Sequence, residues 1–126
     1  MRALIVDDSR AMRSKIGGLL REIGFEVAEA CDGADALNRI REGGEVDLAL
    51  VDWNMPQMNG YEFICAMRAD SSHEKTTLVM VTAETEMDRV TQALDAGASA
   101  YIMKPFTRES LQEKLVMLGL NPKGTN

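Results

Sequence analysis

The stretch Leu48-Ala49-Leu50-Val51-Asp52 most constrains how this chain can fold. Four apolar residues follow one another with nothing polar between them, so the segment reads as a strand buried on both faces, and it stops abruptly on an acid. Such a strand needs cover above and below. Pro56 and Asn59-Gly60 forbid its continuation and mark a loop before the next helix. A sheet covered on both faces is built from strands joined by helical crossovers, and the rest of the chain has to supply them.

It does so in order. Ala3-Leu4-Ile5-Val6 is a second apolar run, ending on Asp7-Asp8, with Ser9 placed to cap the helix that follows. Met12, Ile16, Leu19, Leu20 and Ile23 recur at helical spacing until Gly24. In Phe25 to Ala30 the apolar residues are interrupted by Glu26 and Glu29, which predicts a wetter strand at a sheet edge. Gly33 opens a second helix with Ala36, Leu37 and Ile40 inward, and Gly43-Gly44 closes it. After the central strand, a third helix turns Phe63, Ile64 and Met67 inward. Leu78-Val79-Met80-Val81 follows and ends on Thr82-Ala83-Glu84. Met87, Val90 and Leu94 define a fourth helix, Ala96-Gly97-Ala98 end it, and Ala100-Tyr101-Ile102-Met103 makes a fifth strand ending on Lys104-Pro105. Leu111, Leu115 and Leu118 give a last helix, stopped by Gly119 and Pro122.

Five strands alternating with five helices predict a doubly wound α/β fold with a five-stranded parallel sheet. Right-handed crossovers, with the three most apolar strands in the middle, give the order 2-1-3-4-5. The expected organisation is one domain over 1–120 and a loose tail over 121–126.

Charge and cysteine content narrow the function. A net charge of −6, from 20 acids against 14 bases, argues against nucleic acid as a partner. No apolar run approaches the ~18 residues that span a bilayer, and Met1-Arg2-Ala3-Leu4 runs into a strand without a signal-peptide layout, so no membrane partner and a cytoplasmic location are expected. Cys31 and Cys65 have neither metal nor disulfide spacing and read as buried thiols acting as small apolar residues. His73, within the polar run 70–75, reads as a solvated loop residue with no partners that would make it a ligand or catalyst.

The chemistry gathers at one edge of the sheet. In the order 2-1-3-4-5, strands one and three are neighbours at the switch point, so Asp7 and Asp8 face Asp52 across a strand spacing of ~4.8 Å. Three carboxylates that close repel by roughly 1 kcal/mol per pair in water, and by more where solvent is excluded, so a cation belongs among them. Mg2+ suits such a hard oxygen set, taking one or two carboxylates, several waters and phosphate oxygens. Lys104, ending strand five, supplies a fixed positive charge, and Thr82, ending strand four, offers a hydroxyl between. Singly, each has a plainer reading as turn former, helix cap or surface lysine. Their joint appearance at the same end of strands one, three, four and five points to Asp52 as a nucleophile that carries a phosphoryl group.

These residues carry a resemblance over essentially the whole chain. Asp7-Asp8-Ser9, Asp52-Trp53-Asn54-Met55-Pro56, Val81-Thr82-Ala83-Glu84 and Lys104-Pro105-Phe106-Thr107 are together similar to the receiver domains of two-component response regulators, most of all the stand-alone chemotaxis type. That family has a flavodoxin-like fold with the strand order 2-1-3-4-5, so the order is shared with the resemblance rather than independent of it. The resemblance implies that Asp52 is the phosphoacceptor, supplied by a histidine kinase or a small phosphodonor, in a phosphoprotein with intrinsic autophosphatase activity rather than an enzyme. It implies Mg2+ held by Asp8 and Asp52 directly, by Asp7 through water and by the backbone carbonyl of Asn54. Thr82 and Lys104 are expected to contact the phosphoryl oxygens, the Lys104-Pro105 bond to be cis, and Tyr101 to be the aromatic switch. Asn54 and Glu84 flank the approach of the hydrolytic water and are expected to tune dephosphorylation. Trp53 reads as packing. A flagellar motor switch protein or a phosphatase is the implied partner; a phosphorelay intermediate or other adaptor would carry the same site.

Two rivals share the layout. A haloacid-type phosphohydrolase wants a second acid two residues after the nucleophile, where this chain has Asn54, and a cap insertion that it lacks. A flavodoxin-like electron carrier wants a hydroxyl- and glycine-rich phosphate loop where this chain has Asp7-Asp8-Ser9-Arg10.

Overall fold

The computed structural model describes residues 1–83 and 88–122. The elements alternate as expected: β1 (Arg2–Val6), α1 (Arg10–Ile23), β2 (Glu26–Ala30), α2 (Gly33–Gly43), β3 (Leu48–Asp52), α3 (Gly60–Ala69), β4 (Thr77–Thr82), α4 (Asp88–Ala96), β5 (Ala100–Met103) and α5 (Arg108–Met117), with a 3-10 turn at Ser71–His73. The sheet is parallel throughout, in the order β2-β1-β3-β4-β5. Every residue of β3 is buried, whereas β2 at the edge buries only Ala30, as the interruption by Glu26 and Glu29 requires.

Side-chain alternation divides each apolar run between two cores. Ala3, Ile5, Leu48, Leu50, Val79, Val81 and Ile102 pack with Ile16, Leu20 and Ile23 of α1 and with Leu111 and Leu115 of α5. Leu4, Val6, Ala49, Val51, Leu78 and Met80 pack with Ala36, Ile40, Phe63, Ile64, Met67 and Ala93 from α2, α3 and α4. Helices therefore cover both faces, two on one side and three on the other. Ser9 caps α1, its hydroxyl accepting from the Met12 N–H at 3.2 Å, and Gly24 closes it at φ 123°. The Lys104-Pro105 bond is cis.

Several expectations are corrected. Leu94 is 43% exposed, and Ala93 takes the inward position of α4 beside Val90; Met87, expected on the same face, lies outside the described residues. Cys31 and Cys65 are exposed rather than buried. Phe63, Ile64 and Met67 occupy the inner stripe of α3, and residue 65 falls off that stripe, while Cys31 follows the last residue of the edge strand. His73 is not a solvated loop residue: its side chain is only 13% exposed, with Nδ1 on Glu45 Oε1 and Nε2 3.5 Å from Asp70 Oδ2, so it ties the α2–β3 loop to the turn before β4. Asn59-Gly60 starts α3 instead of preceding it, with Asn59 and Glu62 forming a capping box. Of the expected loose tail, residues 123–126 lie outside the described residues.

The end of the sheet opposite the acids is held by Arg68 of α3. Its guanidinium donates to the carbonyls of Gly97 at 2.8 Å, His73 at 3.0 Å and Thr76 at 2.9 Å, joining α3, the lead into β4 and the turn before β5. Three carbonyls would lose a charged donor together in Arg68→Met. The variant is expected to lose roughly 2–4 kcal/mol of stability, read as a lower urea midpoint at constant slope.

Candidate functional site

Register brings the singled-out residues to one edge. Val6 pairs with Val51, Asp52 with Val81 and Thr82 with Met103, so Asp7, Asp52, Thr82 and Lys104 all stand at the carboxyl ends of β1, β3, β4 and β5. Backbone bonds fix these ends: the Asp7 N–H donates to Ala30 O at 3.1 Å and the Lys104 N–H to Thr82 O at 2.7 Å. The place is the crevice outside the strand ends of a doubly wound sheet.

Asp7, Asp8 and Asp52 each offer a carboxylate oxygen, and the three atoms lie within 4.8 Å of one another. Asp7 and Asp52 are buried and Asp8 is exposed, so the cluster opens to solvent on the Asp8 side. Lys104 Nζ lies 3.5 Å from Asp52 Oδ1. Burial pushes the Asp52 carboxyl up to about 6, with Asp7 and Asp8 adding to the rise and Lys104 opposing it. Burial also raises Asp7, against the Ser9 N–H that donates to its Oδ1 at 2.8 Å and against Lys104. Two buried acids held above their ordinary range beside one lysine form an electrostatic deficit that a divalent cation with oxygen ligands would cancel, and the donor set fits Mg2+.

Thr82 is fully buried, and its Oγ1 is a buried side-chain oxygen without a hydrogen-bond partner among the described residues. Such an atom is costly unless something else satisfies it. Tyr101 is half-buried and pairs in register with Met80, two residues before Thr82; its ring packs on the core beneath α2, α3 and α4, with Lys114 Nζ 5.3 Å from its centroid. Thr82 and Tyr101 thus share one face of the sheet. Asn54 is exposed, and its Oδ1 accepts from Arg89 Nη1 at 2.8 Å. Glu84 lies outside the described residues.

Three contributors escaped sequence reasoning. Arg89 of α4 reaches both Asn54 and the Trp53 ring, 5.2 Å from its centroid, and Trp53 also stacks on Tyr61 at 5.6 Å. Arg13 donates to Asp7 O at 2.8 Å. Gly60 lies so close to β3 that an added Cβ would stand 2.3 Å from the Asp52 carbonyl oxygen. Only Gly60 had a legible signal, since Asn59 followed three residues later by Glu62 is a capping box.

Fold and site together define a class: a doubly wound α/β domain with an acidic, cation-ready pocket at the carboxyl edge of its sheet. Comparison with known proteins is more specific. The sequence model of the response regulator receiver domain matches residues 3–116. The chemotaxis protein CheY of Pseudomonas aeruginosa is 44% identical over 116 residues, 91% of this chain and 93% of that protein. Chemotaxis protein CheY1 of Helicobacter pylori is 41% identical over 123 residues, 96% of this chain and 99% of that protein. The crystal structure of Vibrio cholerae CheY4 superposes with a TM-score of 0.84 at 34% identity, covering 92% of this chain and 96% of that one. The chain belongs to the response regulator receiver domain family, the phosphorylation-activated switches of two-component signalling. Receivers of this kind bind Mg2+ at an acidic pocket, work with a histidine kinase and a downstream partner, and are not conventional enzymes. Among the described residues no helix is long and apolar enough to cross a membrane.

Proposed function

We propose that this chain is a chemotaxis switch in which Asp52 accepts a phosphoryl group from a histidine kinase or a small phosphodonor, and that a flagellar motor switch protein reads the result. The observation that carries the site assignment is the cluster of Asp7, Asp8 and Asp52 with Lys104 Nζ 3.5 Å from the Asp52 carboxylate. The chemotaxis names of the relatives support the pathway. Two exposed free thiols suit a reducing cytoplasm, which is the proposed location.

With its carboxyl held up at about 6, Asp52 is ionised at neutral pH yet more basic than an ordinary aspartate, as a nucleophile should be. An Oδ atom of Asp52 attacks phosphorus as the P–N bond to the kinase histidine, or the P–O bond of acetyl phosphate, breaks. The leaving group takes the electron pair: the kinase imidazole also takes up a proton, whereas acetate departs as the anion. Mg2+, held by Asp8, Asp52, the Asn54 carbonyl and, through water, Asp7, would supply neutralisation of the phosphoryl oxygens. Lys104 stands where it can pair with one of those oxygens, and the Thr82 hydroxyl, without a partner among the described residues, can donate to another. Moving that hydroxyl toward the phosphoryl group leaves room on the face that Thr82 shares with Tyr101, which couples phosphorylation to the ring of Tyr101 and the surface a partner meets. Water then attacks the acyl phosphate, so the signal limits itself; Asn54 and Glu84 tune that rate, and a phosphatase can speed it.

Acetyl phosphate with Mg2+ should add one phosphoryl group, located by mass spectrometry in the peptide containing Asp52 and absent from Asp52→Asn. A label on any other residue overturns the assignment. Mg2+ should also raise the thermal midpoint, since a ligand at 100 times its Kd stabilises the folded state by about 2.7 kcal/mol. Asp8→Ala should remove that gain; an undiminished response would take Asp8 out of the site.

A further inference from the structure

Arg89 is the second residue of α4 and reaches across to the loop after β3. Its Nη1 donates to Asn54 Oδ1 at 2.8 Å, and its guanidinium carbon lies 5.2 Å from the centroid of the Trp53 ring, which itself stacks on Tyr61 of α3. The two residues immediately after Asp52 are therefore gripped by one cationic side chain from a different helix. A guanidinium over an indole is favourable, and its planar fork allows a hydrogen bond and a ring contact together. Trp53 in turn lies against the tilted ring of Tyr61, so the indole beside Arg89 is itself in contact with α3.

We propose that Arg89 is a positioning residue that prolongs the phosphorylated state by holding the Asn54 side-chain oxygen on its guanidinium. This rests on Asp52 being the phosphoacceptor. Hydrolysis requires a water oxygen to attack phosphorus opposite the Asp52 oxygen. The P–O bond to Asp52 breaks, inorganic phosphate leaves, the carboxylate returns and one proton passes to solvent. An amide oxygen two residues from the acyl phosphate is suited to accept a hydrogen bond from that water and align it. Asn54 Oδ1 is engaged instead by Arg89, whose charge draws its lone pairs away from the incoming water. Because Arg89 belongs to α4, any movement of that helix on phosphorylation or partner binding also changes the grip on Asn54. The lifetime of the signal and the position of α4 are thereby linked through one side chain.

The test is the decay of the phosphoryl group after loading with acetyl phosphate and Mg2+ and removal of donor, in wild type, Arg89→Met and Arg89→Lys, each also with Asn54→Ala. Met keeps apolar contact with Trp53 and loses the donor, so decay should quicken about three- to ten-fold, the worth of one hydrogen bond. Lys restores a donor and should recover much of the lifetime. In the Asn54→Ala background, Arg89→Met should have no further effect, whereas a general loosening of α4 would act equally in both backgrounds. Equal decay in wild type and Arg89→Met, or the same acceleration with and without Asn54, overturns the inference and leaves Asp52 as phosphoacceptor untouched. A folded Arg89→Met that cannot be loaded overturns it too, since Arg89 would then serve transfer. Wild type that takes up no phosphoryl group at Asp52 overturns both readings.

Discussion

Asp52→Asn is expected to stabilise the metal-free protein at neutral pH by about 2 kcal/mol while abolishing phosphoryl uptake. Burial first, and repulsion from Asp7 and Asp8 second, raise the Asp52 carboxyl from 3.8 to about 6 in the folded protein. A raised folded value means that the group contributes stability below the unfolded value, near pH 4, and that this contribution is lost as pH climbs through about 6. The full shift corresponds to roughly 3 kcal/mol, and loss of the Lys104 partner offsets part of it. Asparagine carries no charge at any pH, so the advantage of the variant should be widest above pH 7 and should close toward pH 4. Urea titrations of both proteins in chelator across that range measure the difference directly. A gap that does not change with pH, or a wild type that is the more stable at pH 7.5, would show that Asp52 is not a strained carboxylate. Saturating Mg2+ should reverse the order, since only the wild type retains that ligand.

The fold was legible where burial on both faces leaves one solution. Leu48 to Val51 and Leu78 to Val81 can only be central strands, and once they and Ala3 to Val6 are central, few orders remain. The site was legible for the same reason, because residues that end parallel strands must meet at one edge. What escaped depends on directions and reach that one-dimensional patterns do not hold. Leu94 and Ala93 differ by one position, about 100° on the helix, and an apolar pattern favours the larger side chain although the smaller one fits beside the sheet. Residue type alone makes Cys65 look buried, though the spacing of Phe63, Ile64 and Met67 turns it outward. His73 finds Glu45 at a separation of 28 residues, and Arg89 finds Asn54 at 35. No periodicity encodes such pairs; they follow only when the loops at each end of the sheet are folded over one another. The acids of the site are thus visible in the sequence, and the residues that position their neighbours are not.

Gly60 joins these two levels, and Gly60→Ala is expected to cost about 3 kcal/mol, as overpacking against a rigid neighbour does. Alanine is ordinarily the better helix former by up to about 1 kcal/mol, and Gly60 is the first residue of α3, where a substitution would look harmless. An alanine Cβ would, however, stand 2.3 Å from the Asp52 carbonyl oxygen and 3.0 Å from both the Asp52 carbonyl carbon and the Trp53 Cα. All three are backbone atoms, so no flexible side chain can swing away. Either α3 retreats, losing the bond from the Gly60 N–H to Trp53 O at 3.0 Å, or the end of β3 shifts and carries the Asp52 carboxylate out of line with Asp7, Asp8 and Lys104. A displacement near 1 Å is worth about a hundred-fold in a positioned reaction, so phosphoryl uptake from acetyl phosphate should fall far more than stability alone would explain. Gly18→Ala is the matched control. Gly18 lies within α1, with nothing within 4 Å of an added Cβ, and there the same change should stabilise by about 0.5–1 kcal/mol. Urea midpoints moving in opposite directions, with uptake lost only at Gly60, are the expected outcome. A Gly60→Ala protein as stable and as reactive as wild type would show that the loop after β3 yields freely and does not fix the position of Asp52.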